Sequence, residues 1–482
     1  MNKSVHAFIS GMLLTVLLFI SGCTPTSSDK GKTISDRIIK EMTVEPEKTI
    51  VKEKPDSNIE HKTTVRIGIL EDESNILFSF FGLYSIYSNN KPIFSKKKSS
   101  GSWKVVSKSD KIVLENLESG EKIDVENELI FKPEQISSYV KIGKVQSGKG
   151  WHWEQTRSRS YKGVIEFINI KGKITVVNEV GIEQYLYGVV PSEMSQQSPP
   201  EALKAQAILA RTNIYSKIGK KYKDKPYSLS SDVYSQVYTG LENISDRTNR
   251  AVDDTRGMIL TYEGKPLEAL FHSVCGGYLE SNDVVWGSQK LPYLESKPCE
   301  SGSSFGYGDL SDENNFRKWI DSKPDSYCNI EDKGIDPSLN FARKYFRWEV
   351  TIERRKFENI IKSATGTDIG NLKDLIVADR GSSGKAISVK IVGTKKTLTI
   401  NKELNIRKQL SKPPLYSGNF YVDKKNIGKN GLAETFVLRG AGFGHGAGMC
   451  QIGACGMASK GKNYKEILSF YFKNSKIVEI DK

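Results

Sequence analysis

Histidine is scarce in this chain, with five in 482 residues, and cysteine nearly so, with six. So few cysteines at this length exclude a small disulfide-built scaffold. So few histidines make any one inside a distinctive motif informative. Long apolar runs are also lacking. The single candidate, Phe8 to Ile20, is too short to span a bilayer comfortably. No other segment reaches the roughly 18 apolar residues of a membrane helix, so the rest of the chain is expected to be soluble. Repeats of about 20–50 residues are absent, which excludes solenoids and propellers. Acidic residues fall short of basic ones, 57 against 71, giving a net charge of +14. That excess suits acidic polymers and anionic lipid heads. A solvated basic surface explains it equally well.

What the chain does have begins at its N-terminus. Lys3 makes a basic start, the apolar run follows, and Ile20-Ser21-Gly22-Cys23 closes it. Small residues just before a cysteine resemble the lipobox of bacterial lipoproteins. On that reading residues 1–22 are a signal peptide and cleavage leaves Cys23 lipidated. An ordinary secretory signal and a plain membrane anchor stay open as alternatives. Each takes the chain out of the cytoplasm, so nucleic acid is not an expected partner. Lipid on Cys23 would hold the protein to a membrane face, periplasmic or surface. Residues 23–62, rich in Lys, Glu, Asp, Thr and Ser, read as a disordered tether. Export permits disulfides among Cys275, Cys299, Cys328, Cys450 and Cys455, with one thiol left over. Cys275 with Cys450, and Cys299 with Cys328, are candidate pairs.

The 38% hydrophobic content is adequate for a real core. The expected class is α+β: a mixed, β-rich core with a few helices, preceded by a β-rich module. That module, 63–150, shows short strands such as Ser102-Trp-Lys-Val-Val, Lys111-Ile-Val-Leu and Lys122-Ile-Asp-Val. A core section, 151–299, continues in β with Gly163–Ile170 and Lys173–Val177 around a break at Lys171-Gly172. Ile182 to Val190 carries this β section into Ser192-Glu193-Met194. The clearest helix follows. Ser198-Pro199-Pro200-Glu201 fits a capping box, and Leu203, Ala207, Ala210 and Ile214 form its buried stripe. Lys217, Lys220 and Lys221 suit its C-terminal dipole. Residues 257–274 read as a strand pair broken at Glu263-Gly264. Residues 300–430 read as an insertion or second subdomain. The section 431–482 holds a strand at Thr435–Arg439, a glycine loop, and a last helix capped by Asn463 and Glu466.

Three places carry candidate chemistry. Glu193 lies among apolar residues, where the protonated form of a carboxyl is favoured, as a general acid requires. A solvated or capping glutamate is the competing reading. Gly442-Phe-Gly-His445-Gly-Ala-Gly448 lets backbone approach a ligand closely. Its spacing is not that of a dinucleotide loop, and too little chain follows for the rest of that fold. His445 reads as a base, a sugar-binding donor or a structural histidine. His272 and Cys275, with His445 and Cys450, would make a zinc ligand set if they met in space. A disulfide with two histidines facing a ligand explains the same residues without metal and is the preferred reading, so no cofactor is expected. Tyr234-Ser-Gln236-Val-Tyr238 is an aromatic and amide cluster suited to sugar rings, or else a half-buried strand.

Taken together these segments resemble the stage II sporulation protein D family, which includes the amidase enhancers. The resemblance rests on Tyr185-Leu-Tyr-Gly-Val-Val-Pro-Ser-Glu-Met, Glu201-Ala-Leu-Lys-Ala-Gln-Ala, Ala210-Arg-Thr, Ser235-Gln-Val-Tyr, Phe271-His-Ser, Gly276-Gly277, Val285-Trp286 and Gly442-Phe-Gly-His-Gly-Ala-Gly-Met, in family order. It implies a glycan-binding groove and a lytic transglycosylase that cuts the MurNAc–GlcNAc bond of peptide-stripped peptidoglycan strands. The family's catalytic glutamate falls on Glu193. Tyr187, Ser192, Arg211, Gln236, Tyr238, His272, Ser273, His445 and Gln451 become groove or support residues. Amidase enhancers share these motifs, which leaves a second reading open: a non-catalytic glycan binder that activates an N-acetylmuramoyl-L-alanine amidase. A third is a structural lipoprotein on a dead version of the fold. Some sporulation members bind zinc through Cys and His just before the Gln-Val-Tyr segment. Here Ser230–Tyr238 has neither, so that metal is not carried over.

Overall fold

The computed structural model describes residues 64–98, 101–300, 306–331 and 334–480. The signal segment, Cys23 and the whole of the expected tether lie outside them. Two antiparallel-rich sheets start the fold. In a seven-stranded sheet, Thr64–Glu73 lies between Lys173–Gly181 and the short Leu229–Ser230, and Val164–Ile170, Glu128–Pro133, Leu83–Ser88 and Lys91–Lys98 follow outward. A six-stranded sheet combines Gln155–Tyr161, Tyr139–Ser147, Asn75–Phe81, Trp103–Lys108, Lys111–Asn116 and Lys122–Val125. Alternation puts every second side chain between the sheets. Phe78 of one sheet meets Phe131 and Phe167 of the other, with ring centroids 5.2 and 4.8 Å apart. The division expected at residue 150 falls inside this pair: strands from either side of it share both sheets. The expected α+β, β-rich class is what the chain adopts.

Lys173–Gly181 leads directly into helix α1 (Ile182–Glu193). This corrects the expectation of continued β structure. Ile182, Tyr185, Leu186, Val189 and Val190 are its buried positions, a 3–4 spacing that lays one apolar stripe on the core. Gly188 is required by contact: a Cβ there would sit 2.6 Å from the Gly240 carbonyl oxygen. Pro191 occupies the last turn, and Met194 is already extended.

Helix α2 (Pro200–Lys217) is buried along most of its length, with Leu203, Ala207, Ala210 and Ile214 fully inside. The capping box expected at its start is absent: Pro199 is the N-cap and no side chain caps it. Glu201 instead accepts a hydrogen bond from the Tyr464 amide at 2.9 Å. It thereby satisfies a free amide of another helix, Tyr464–Tyr471, whose own Asn463/Glu466 capping box is formed as expected. The hairpin expected around Glu263-Gly264 also forms, between Met258–Tyr262 and Lys265–Pro266.

A second core lies between Trp348 and Leu438, built on Phe357, Ile361, Leu375, Val389, Ile391, Ile406 and Phe436. It contains two three-stranded sheets. The middle strand of one, Ala433–Gly440, pairs with both Trp348–Glu353 and Phe420–Ile427 and then enters the glycine loop. The second subdomain thus holds one end of that loop. The Met449–Cys450 strand, parallel to Phe271–His272, holds the other end in the first core.

Candidate active site around Glu193

Glu193 is the last residue of α1, at a helix end where the chain turns away. Its side chain is partly exposed, yet its carboxyl is largely removed from water. The Val237 amide donates to Oε1 at 2.7 Å. Burial pushes the pKa up to about 7, while the Val237 amide and the charge of Lys217 pull the other way. Among the described residues, Lys217 is the charged side chain that acts on it. A carboxyl of this kind holds its proton near neutrality and can also release it.

The surrounding backbone is fixed by amides and hydroxyls. Ser192 Oγ donates to the Gly188 carbonyl and shares a hydrogen bond with Thr239 Oγ1, both at 2.6 Å. Gln451 Nε2 donates to the Glu193 carbonyl at 3.0 Å and to Gln206 Oε1 at 3.3 Å. Gln236, buried, donates to the Ala210 carbonyl at 3.1 Å. One loop, 236–239, therefore supplies the Val237 amide to Glu193 and ties itself to α1 and α2. Tyr234, two residues before it, is 61% exposed.

Other expected groove residues sit behind this surface. Tyr238 is 3% exposed, donates to Asn178 Oδ1 at 2.9 Å and packs on Tyr185. Arg211 is fully buried, bonded to Glu183 through Nε and Nη2 at 2.7 and 2.6 Å and to the Met258 carbonyl. It joins the start of α1 to α2. Tyr187 is turned to Asp253, with an oxygen separation of 2.6 Å.

The glycine loop is a separate construction. His445 Nε2 donates to the Phe271 carbonyl at 2.8 Å, and its Nδ1 accepts from the Ala447 amide at 3.2 Å. Both ring nitrogens are engaged. Burial pushes its pKa down to about 4, so the ring is neutral at physiological pH. His272 donates from Nδ1 to the Ala447 carbonyl at 3.1 Å, and its buried Nε2 has no partner among the described residues. Burial, then the neighbouring His445, holds its pKa well below the ordinary value. Gly448 has φ +73, and a Cβ would lie 2.1 Å from the Leu270 carbonyl oxygen, so only glycine fits. Ser273 contributes its carbonyl, which accepts from the Ile452 amide at 3.1 Å. The zinc set of His272, Cys275, His445 and Cys450 is not assembled: Cys275 and Cys450 gather with Cys299 and Cys328, and both His445 nitrogens serve backbone groups. The disulfide pairs are not formed either; all five described cysteines are free and buried.

The link between the two segments is Gln451, which starts the helix Gln451–Ser459 immediately after the loop and reaches the Glu193 carbonyl. Surface hollows of about 300 Å³ near Glu358 and Lys395, and of about 500 Å³ beside Met258 and Tyr464, do not include Glu193.

Comparison with known proteins matches this architecture in two parts. A family model described as "Stage II sporulation protein" covers residues 170–262, and one described as "Domain of unknown function (DUF8618)" covers 280–448. Stage II sporulation protein D of Bacillus amyloliquefaciens is 30% identical over 320 residues, covering 63% of this chain and 76% of that protein. The chain belongs to the stage II sporulation protein D family. An uncharacterized protein of Brachyspira hyodysenteriae is 31% identical over 74% of this chain and 82% of its own length. The amidase enhancer of Bacillus subtilis is 29% identical over 60% of this chain, which spans 39% of that protein. The part of this family member matched by the sporulation model contains Glu193, Arg211, Gln236 and Tyr238. The histidines lie outside that match, and His445 falls in the second. Two contributors are invisible in the motifs: Lys217, which reads only as a helix-end cation, and the Val237 amide, a backbone group.

Proposed function

We propose that this protein is a peptidoglycan lytic transglycosylase with Glu193 as its single acid and base. The observation that carries the reading is a largely dehydrated carboxyl with its pKa raised to about 7 beside a partly exposed surface. Protonated Glu193 gives its proton to the oxygen between N-acetylmuramic acid and N-acetylglucosamine. The carboxylate then takes the proton of the muramyl C6 hydroxyl, whose oxygen bonds to C1. The products are a 1,6-anhydro end and a free N-acetylglucosamine 4-hydroxyl. An internal nucleophile explains one carboxyl where ordinary glycosidases use two. Val237 and Lys217 steady the ionised state that forms between the two transfers. Exposed Tyr234 offers a ring face for a sugar. The place of action is the cell envelope, with lipid on Cys23 as the anchor. No helix among the described residues is long and apolar enough to cross a membrane.

A second reading is favoured by one observation, the similarity to a protein named amidase enhancer. On it the same surface binds glycan and activates an amidase. The two separate on peptide-stripped glycan strands, with products read by mass spectrometry. Anhydromuramyl ends made by the wild type and lost in Glu193→Gln support the enzyme. Absence of products from both, with amidase stimulation intact in both, supports the enhancer.

A further inference from the structure

Cys275, Cys299, Cys328 and Cys450 come from four separate segments, and their sulfurs all lie within 4.8 Å of one another. All four are at most 3% exposed. Cys275 follows the Phe271–His272 strand, Cys299 follows Lys297–Pro298, Cys328 lies in the polar stretch after the helix Glu313–Asp321, and Cys450 is the N-cap of Gln451–Ser459. We propose that these four cysteines form a structural zinc site.

The geometry favours a metal over two disulfides. Tetrahedral zinc with sulfur at ~2.3 Å puts ligand sulfurs ~3.8 Å apart. The Cys275 and Cys328 sulfurs are 3.4 Å apart, and all four sulfurs lie within 4.8 Å of one another. Two disulfides would instead place sulfurs in pairs at about 2.05 Å. Four thiolates around Zn²⁺ carry two net negative charges, and their surroundings are built to accept them. The Cys275 and Gly453 amides donate to Cys450 Sγ at 3.2 and 3.3 Å, and the Gly277 amide to Cys275 Sγ at 3.4 Å. The Tyr471 hydroxyl is 3.5 Å from Cys299 Sγ, and Ser326 Oγ is 3.6 Å from Cys328 Sγ. The half-buried Arg347 guanidinium lies close by, bonded to the Gly276 carbonyl and stacked on Trp319. Hydrogen bonds to ligating sulfur and a nearby cation are what such a centre needs around it.

Binding releases the four thiol protons to solvent as four Zn–S bonds form. All four positions are filled by protein, so the metal has no open site for substrate and is structural. It pins the segments holding Cys299 and Cys328 to the ends of two paired strands, Phe271–His272 and Met449–Cys450, the second of which closes the glycine loop. Gln451, next to Cys450, is thereby held where it meets the Glu193 carbonyl. The proposal is independent of whether the protein cuts glycan.

The test is metal analysis of the full chain purified natively, combined with intact mass under non-reducing conditions and thiol titration. The expected result is one zinc per chain, fully reduced cysteines, and four thiols that become reactive only after chelation. Cys328→Ser should lose the zinc, whereas Cys455→Ser, buried outside the cluster, should keep it. Because Cys328→Ser can fail to fold, the wild-type zinc content and chelator-dependent thiol exposure decide by themselves. A zinc-free chain, whether with two disulfides or with four free thiols, overturns the proposal.

Discussion

Glu193 and His445 are alike in sequence, each a lone polar group in an apolar or glycine-rich motif, and opposite in structure. Glu193 stands at a helix end with one amide bond to its carboxyl, a partly exposed side chain and a pKa near neutrality. His445 has both nitrogens tied to backbone and a pKa near 4. One group keeps its proton exchangeable in the physiological range. The other is a neutral brace that holds the glycine loop to the strand at Phe271. A conspicuous motif therefore indicates that a residue matters, and the hydrogen-bond account decides whether it matters for chemistry or for shape.

The strongest way to break the comparison is substitution at the two positions. Glu193→Gln keeps size and the Val237 contact but cannot exchange the proton. Formation of anhydromuramyl ends should fall by about a hundredfold to ten-thousandfold, with the melting temperature unchanged or raised. His445→Ala should do the reverse. Removing a part-buried ring that satisfies two backbone groups should cost about 2 kcal/mol of stability, while product formation per folded molecule changes less than about threefold. Denaturant unfolding beside product assays reads both. A large loss of turnover in well-folded His445→Ala would end the contrast. A smaller effect sharpens it. The Lys217 cation lowers the pKa of Glu193, so Lys217→Met should raise that pKa. Activity that requires protonated Glu193 falls as pH rises through this value. In Lys217→Met that fall should move upward, measured as the pH dependence of kcat/KM.

Much of this was legible in the sequence, and the failures have physical causes. The Asn463/Glu466 box was readable because both partners lie within one turn. Glu201 looks like the same device, but its partner is the Tyr464 amide, 263 residues away, and no local pattern reveals that. Ile182–Val190 carries a helical 3–4 apolar spacing, yet it follows a strand and includes adjacent valines, which favour β structure. The motif places Arg211 and Tyr238 among groove or support residues, and burial makes the former a brace between helices and the latter part of the core. Cysteine pairing had no readable answer, because four sulfurs from four segments converge on one point.

Acid catalysis by Glu193 depends on where it gives up its proton. Its folded value of about 7 against an ordinary 4.5 means that the folded state binds the proton more tightly than the unfolded one. The wild type should therefore lose stability relative to Glu193→Gln as pH rises from about 4.5 to about 7, with no further loss above. The most direct measurement is carbon NMR titration of the glutamate carboxyls, with Glu193 assigned by its absence in Glu193→Gln. A midpoint near 7 is the predicted result. A midpoint near 4.5 would leave Glu193 an ordinary ionised carboxylate and contradict its role as the acid.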